Sequence, residues 1–345
     1  MLVVPHSFPY LTEQDKFSVM KCFDIGYVGY DEKLTDEIKK KLRNYLAYSF
    51  VELTPSASLS LLLIFKYLKI GLDDEIIMSA INCWSVYNCI VFENATPIIC
   101  DVRSDRDFRA SYENIAKKIT KKTKVIIITH MYGVLIEEEV IKKIKLNHPH
   151  ITIIEDFSTS LFSKKDFKLG QYSDFGIGSF GSTKPLTGGI GGVLCSQKKI
   201  FEPHYDQFQD KYIAFNMKIS RLNQMLLLSQ LKSFDNYQMI KQSVINFYNK
   251  FLSIYLDDTN TTDLFRAITF KNPQILIDKL AKENIELDIR KSVQPNLTKE
   301  LNIKSNNNSY DFKDYYSLPL NIKAYEILNS KGLLSIVPQQ IKTTI

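Results

Sequence analysis

Three hundred and forty-five residues, 45% of them hydrophobic and 24% charged, suit a globular chain with one large domain and a smaller companion. The longest apolar stretch, Leu59 to Phe65, falls far short of the ~20 residues of a membrane span, and the opening residues lack a basic-then-apolar leader, so a cytoplasmic protein is expected. Forty-four Lys and Arg against 38 Asp and Glu leave a net charge of +6, too small and too scattered among acidic residues to argue for nucleic acid.

Along the chain, Leu34, Ile38, Leu42 and Leu46 recur every fourth residue with charges between them, which predicts an amphipathic helix packed on a larger body. From residue 50 to about 200, short β-branched runs alternate with helical segments. The predicted strands are Phe50–Leu53, Glu75–Met78, Pro97–Val102, Lys124–Thr129, Ile151–Glu155, Phe175–Ser179 and Val193–Ser196. Runs such as VIIIT and ITIIE are apolar on consecutive positions, the mark of strands covered on both faces, so the sheet should be mostly parallel in an α/β architecture. The predicted helices are Ala57–Lys69, closed by Gly71, then Ser85–Glu93, Ser111–Lys118 and Glu137–Lys145. Beyond about residue 235 the alternation gives way to helical pieces and an Asn-rich loop around Asn306–Ser309. A large domain with an N-terminal helical arm is therefore placed at 1–235 and a small C-terminal domain at 236–345.

Several conspicuous features read as structural. The five cysteines (Cys22, Cys83, Cys89, Cys100, Cys195) form no C-x-x-C pair and no zinc-type cluster, so they read as reduced, mostly buried thiols and no metal site is expected. His148 and His150 flank a proline with no acidic or thiol partner, a surface-loop pattern, and the basic run Lys117–Lys124 reads as a solvated loop. Gly176, Gly178 and Gly181 have the G-x-G-x-x-G spacing of a dinucleotide-binding turn, but Pro185 and four more glycines follow closely, so the helix that such a turn must open has nowhere to start. A nicotinamide enzyme is disfavoured on that ground.

The residues that suggest chemistry lie elsewhere. Lys184 sits on an irregular loop after a buried strand, and Pro185 biases it away from helical backbone, so its amine should project from the end of the sheet. The strand ending in Glu155-Asp156 delivers a carboxylate to the same edge. Ser56-Ala57-Ser58 bridges a strand and a helix and offers hydroxyls and N–H groups to an anion. Taken singly, these residues are better explained as a surface lysine, a strand-end cap and a helix N-cap. Together they supply what pyridoxal phosphate (PLP) requires: an amine for its aldehyde, a carboxylate for its ring nitrogen and a cradle for its phosphate.

At this point the chain resembles the DegT/DnrJ/StrS sugar aminotransferases, within the fold-type I PLP enzymes. The resemblance runs from GYVGYDEKLTDEIKKKLRNYL (26–46) to YSLPLNIKAYEIL (316–328), through GLDDEIIMSAINCWSVYNCIVFENATPIICDV (71–102), ITHMYG (128–133), IIEDFSTS (153–160), SFGSTKPLTGGIGG (179–192) and FNMKISRLNQMLLLSQL (215–231). It implies an aspartate-aminotransferase-like fold whose small domain is α+β. It also implies Lys184 as the lysine that carries the cofactor, Asp156 as partner of the ring nitrogen, and Ser56, Ala57, Ser58 and Ser179 around the phosphate. Trp84 is the candidate for a ring-stacking aromatic, with Cys83 as the alternative if the register shifts by one. Asn216 would reach the phosphate of a neighbouring subunit, which implies a homodimer with shared active sites.

The chain departs from the family pattern in four places. Ala57-Ser58 replaces the usual Gly-Thr while keeping the hydroxyl, and Thr159 replaces a Gln near the cofactor. Ile190 replaces a common Glu, and Asn296 stands where the small domain often has His. The resemblance implies a PLP-dependent aminotransferase acting on a nucleotide-linked keto sugar, 4-keto in preference to 3-keto, with glutamate as amino donor. The competing expectation is a member that keeps the fold but has lost turnover and serves as a dimeric binding or scaffold protein.

Overall fold

The structure, a computed structural model, describes residues 1–104, 106–161, 169–198, 205–207, 217–254, 266–291, 297–301 and 315–334. In chain order its first strands are β1 (Leu2–Val4), β2 (Phe50–Thr54), β3 (Glu75–Ser79), β4 (Thr96–Cys100), β5 (Val102–Ser104), β6 (Asp107–Ala110), β7 (Thr123–Thr129), β8 (Thr152–Asp156), β9 (Phe175–Ser179) and β10 (Gly192–Ser196). Seven of them form one sheet in the order β2-β10-β9-β8-β7-β3-β4. The β4–β3, β3–β7, β7–β8 and β8–β9 pairs are parallel, and β10 runs antiparallel to both its neighbours. The C-terminal ends of β2, β3, β7, β8 and β9 therefore share one edge, where ligands bind in open sheets of this kind.

The consecutive apolar residues of the central strands divide between the two faces. Val125 and Ile127 of β7, with Ile154 of β8, join the core beneath the helices Ala57–Leu68 and Trp84–Phe92. Ile126, Ile128 and Ile153 point the other way, against the helix Glu138–Asn147. Farther along that second face, Val193 and Cys195 of β10 meet Ile38 and Leu42 of the helix Glu32–Leu42 and Leu227 of the helix Arg221–Lys232. Each of these side chains is almost wholly withdrawn from water, contributing roughly 1.5–3 kcal/mol apiece. The predicted amphipathic helix ends at Leu42, and Leu46 instead forms an isolated bridge to Leu169. The predicted strand Pro97–Val102 is interrupted after Cys100, with Val102 opening the separate β5–β6 hairpin.

The smaller C-terminal part is α+β. β11 (Ala267–Thr269), β13 (Arg290–Lys291) and β14 (Tyr316–Leu318) form an antiparallel sheet, and β12 (Ile285–Leu287) pairs with β1. Its core gathers Ile240, Val244 and Tyr248 of the helix Phe234–Asn249 with Leu276, Leu318 and Leu328, and takes in Val4 from the start of the chain. Phe234 and Tyr237 still belong to the large core, and on that exchange of cores we propose a division near residue 235, with Leu2–Val4 crossing over to the small part. Among the described residues no helix is long and apolar enough to cross a membrane.

Candidate active site

A cleft of about 220 Å3 opens on the shared strand edge. Ser56, Ala57 and Ser58 reach it from the turn after β2, and Asn82, Cys83 and Ser85 from the segment after β3. Thr129 and Met131 enter from β7, Asp156, Ser158 and Thr159 from β8, and Ser179 and Lys184 from β9 and its following loop.

One end of the cleft is a helix N-terminus. Ser56 is the N-cap of Ala57–Leu68, extended in backbone (φ −163°, ψ 159°), and its Oγ accepts the Leu59 N–H at 3.1 Å. The first N–H groups of the helix have no partner within it, and its dipole favours an anion there. Gly192 is what lets β10 begin against this turn: a Cβ at that position would lie 2.4 Å from the Ser56 carbonyl carbon and 2.6 Å from the Ala57 nitrogen. The N-cap reading of Ser56 and the anion-cradle reading are thus compatible, because the cap fixes the turn whose N–H groups face the cleft.

Across the cleft lies a buried carboxylate with a nearby amine. Asp156 is 6% exposed. Its Oδ1 accepts the Ser158 N–H at 2.9 Å, and the Ser158 side chain also hydrogen-bonds the carboxylate. Burial raises its pKa, against the pull of the Ser158 hydrogen bonds and the Lys184 charge. Lys184 is half-buried on the loop after β9, where its N–H donates to the Gly181 carbonyl at 3.0 Å. Burial lowers the affinity of its amine for a proton, and the Asp156 charge opposes that drop. Burial thus disfavours the charged form of each group, while each one's charge favours the other's.

The wall between these ends is built by two turns locked together. Tyr132 adopts the left-handed region (φ 57°, ψ 21°) although it is buried and not glycine, a conformation that persists only when the surroundings enforce it. Thr159 Oγ1 accepts the Tyr132 N–H at 3.0 Å and donates to the His130 carbonyl at 2.9 Å, and Ser160 Oγ donates to the same carbonyl and accepts the Gly133 N–H at 3.0 Å. The His130 N–H in turn donates to the Asp156 carbonyl at 3.0 Å. Burial pushes the His130 imidazole down to about 3, so the ring is neutral near pH 7. The Thr159 hydroxyl is thus engaged in holding residues 130–133.

Of the residues singled out from the sequence, Ser56, Ala57, Ser58, Asp156, Thr159, Ser179 and Lys184 line this one cleft. Trp84 does not: it opens the next helix, 38% exposed and edge-on to Tyr87, while its neighbour Cys83 lines the cleft. Ile190 is 55% exposed on the loop leading to β10. Asn216 and Asn296 lie outside the described residues. Asn82, Thr129 and Met131 line the cleft without having been singled out. Asn82 was detectable as the polar residue three places beyond the end of β3, but nothing in the sequence distinguishes Thr129 or Met131. Gly176 and Gly178 belong inside β9, where a Cβ would come within 2.6 and 2.7 Å of the Phe157 ring, so packing explains the dinucleotide-like spacing.

The donor set fits PLP. An amine, a buried carboxylate and a helix N-terminus with hydroxyls border a single space, and the turn that presents the last of these packs against β10 only because residue 192 has no side chain to strike the Ser56–Ala57 backbone.

Comparison with known proteins bears on the same residues. The profile of the DegT/DnrJ/EryC1/StrS aminotransferase family matches residues 10–263. GDP-perosamine synthase of Escherichia coli O157:H7 is 26% identical over 263 residues, spanning 72% of this chain and 71% of that protein. Among solved structures, the putative sugar aminotransferase Spr1654 from Streptococcus pneumoniae in its PLP form superposes with a TM-score of 0.76 at 22% identity, covering 96% of this chain and 98% of that one. PseC of Helicobacter pylori, an aminotransferase of pseudoaminic acid biosynthesis, gives 0.76 at 18% identity over 94% and 98%.

Proposed function

The chain belongs to the DegT/DnrJ/EryC1/StrS aminotransferase family of PLP-dependent enzymes, and from that premise we propose that it aminates the keto carbon of a nucleotide-linked sugar in the cytoplasm. The observation that carries this reading is the convergence of Lys184, Asp156 and the Ser56–Ser58 turn on one cleft, beside kinship with proteins named GDP-perosamine synthase. We further propose a 4-keto sugar over a 3-keto sugar, glutamate as donor, and a homodimer whose neighbouring subunit brings Asn216 to the phosphate.

When bound, the cofactor supplies a carbonyl carbon that accepts an amine and a charged ring that takes up the electron pair of a broken C–H bond. Lys184 Nζ holds it and later moves the proton, a role suited to an amine whose proton affinity burial has lowered. Asp156 would place a buried negative charge beside the ring nitrogen and so keep a proton on it. Ser56, Ser58 and Ser179, with the first N–H groups of the helix Ala57–Leu68, bind the phosphate and fix the ring's orientation.

The test combines trapping with turnover. Borohydride reduction of the PLP-loaded protein should attach the cofactor to Lys184, located by peptide mass. Nucleotide-linked 4-keto and 3-keto sugars offered with glutamate should gain the mass of an amino-for-oxo exchange, the 4-keto series faster. Lys184→Ala should lose bound-cofactor absorbance and turnover by on the order of 10⁴-fold; undiminished turnover would remove the mechanism. Protein that stays colourless in PLP would favour the scaffold reading.

A further inference from the structure

The cleft wall at Met131 is held from two directions, and one of them lies in the small part. From β8, the Thr159 and Ser160 hydroxyls accept the N–H groups of Tyr132 and Gly133. From the small part, the Tyr315 hydroxyl lies 2.8 Å from that of Tyr132, and the two share a hydrogen bond. Both rings are buried, each 1% exposed, and both stand edge-on to Phe108 of the β5–β6 hairpin, with centroids 5.0 Å away for Tyr315 and 5.5 Å for Tyr132.

This aromatic cluster reaches two walls of the cleft. It includes Met131, which lines the cleft, and Ile81, whose neighbour Asn82 lines it too and donates to Thr129 Oγ1 at 2.9 Å. From the small part it takes in Ile268 of β11, a strand paired with β14, which begins directly after Tyr315. Leu297 adds a second tie, because its N–H donates to the carbonyl of Ala80, next to Ile81, at 2.9 Å. The turn needs such support: Tyr132 is left-handed (φ 57°, ψ 21°), and a residue other than glycine stays there only when its surroundings over-determine it. Thr159 and Ser160 fix the backbone of the turn, and a hydroxyl of the small part fixes the phenol tip.

We infer that Tyr315 is a positioning residue: through the Tyr132 hydroxyl it holds the turn that sets Met131 in the cleft wall, so that docking of the small part and binding of a ligand in the cleft favour one another. The ligand is PLP, and to that extent the coupling rests on the function proposed above. By linkage the coupling is reciprocal: the factor that Tyr315 adds to PLP affinity is the factor that PLP adds to docking of the small part.

The experiment compares the full chain with Tyr315→Phe, Tyr132→Phe and the double variant, which keep the rings and lose the hydroxyls. Hydrogen exchange read by peptide mass is combined with an absorbance titration of PLP and a thermal midpoint. In the cofactor-free chain, Tyr315→Phe should speed exchange over residues 130–134 about fivefold, the worth of one hydrogen bond, and leave β8 unchanged. It should also weaken PLP binding about fivefold, the low end of coupling between sites. Tyr132→Phe should do the same, and the double variant should be no weaker than either single one, because the two hydroxyls act as a unit. PLP should slow exchange over residues 315–318 in the parent and not in Tyr132→Phe.

A merely structural tyrosine would move the thermal midpoint and leave exchange at the turn and PLP affinity as in the parent. That result would overturn the assignment, as would single-variant losses that multiply in the double variant, or exchange over 315–318 that ignores PLP in a parent that binds it. Should Tyr315→Phe not fold, Tyr132→Phe removes the same bond from the other side and carries the same outcomes. A parent that never acquires the cofactor absorbance removes the proposed function and the coupling to PLP, while exchange in the cofactor-free chain still decides whether Tyr315 holds the turn.

Discussion

Glu155 and Asp156 are adjacent on β8, face opposite sides of the sheet, and are both buried with raised pKa values, yet their surroundings differ in kind. Glu155 sits in a sealed polar knot: its Oε2 accepts the Gly170 N–H at 2.7 Å and the Tyr48 hydroxyl at 3.1 Å, and that hydroxyl also lies 2.7 Å from Ser173 Oγ. Asp156 is hydrogen-bonded by Ser158, and beside it lie an open cleft and the Lys184 amine. Burial and a perturbed proton affinity therefore do not by themselves mark a working carboxylate. Space for a ligand and a cation to share it distinguish Asp156, and on them rests our proposal that it, and not Glu155, works on a ligand.

The contrast can be broken from either side. Asp156→Asn should lower turnover by about 10²–10³-fold, the range for losing one preorganised electrostatic group, while leaving the thermal midpoint almost unmoved; the two measurements together show that its part is chemical. Glu155→Ala should do the reverse, costing about 2–4 kcal/mol in denaturant unfolding because it opens a cavity and leaves the Gly170 N–H without its acceptor, with little change in turnover per folded molecule.

A subtler test uses protons. Burial pushes Glu155 up to about 7 from 4.5, so the native state holds a proton that the unfolded chain releases. Stability from this group is complete below about pH 4.5 and is lost as pH rises through about 7. Glu155→Gln, which cannot ionise, should lack this loss, so the difference in thermal midpoint between it and the parent should change across that window; a difference independent of pH would show that Glu155 does not titrate there. The smallest effect belongs to Ser56→Ala, which should cost about 1 kcal/mol through the lost N-cap and loosen PLP binding measured by titration.

Much of the sheet was legible because β-branched residues on consecutive positions have few alternatives to a doubly covered strand, and the seven predicted strands correspond to the seven of the central sheet. The helix Glu13–Ile25 was not, and the reason is physical. It buries Asp15, Ser18 and Cys22 and exposes Phe17, Met20, Phe23 and Ile25, so its apolar period points away from the core. The site was legible where one residue type carries a distinctive chemistry, as with Lys184 and Asp156. It was obscure where strand ends distant in sequence meet, as with Thr129, Met131 and Asn82, whose shared cleft exists only after the sheet has formed.

The pairing of Leu2–Val4 with Ile285–Leu287 has a consequence during synthesis. Leu2–Val4 is made long before its partner strand Ile285–Leu287, and at about 5–20 residues per second the wait is on the order of tens of seconds. Through that interval Leu2 and Val3 trail as an unmatched edge while the large sheet already has all its strands. Closing the small core thus follows completion of the large sheet, and a nascent chain halted before residue 285 should leave Leu2–Val4 open to proteases.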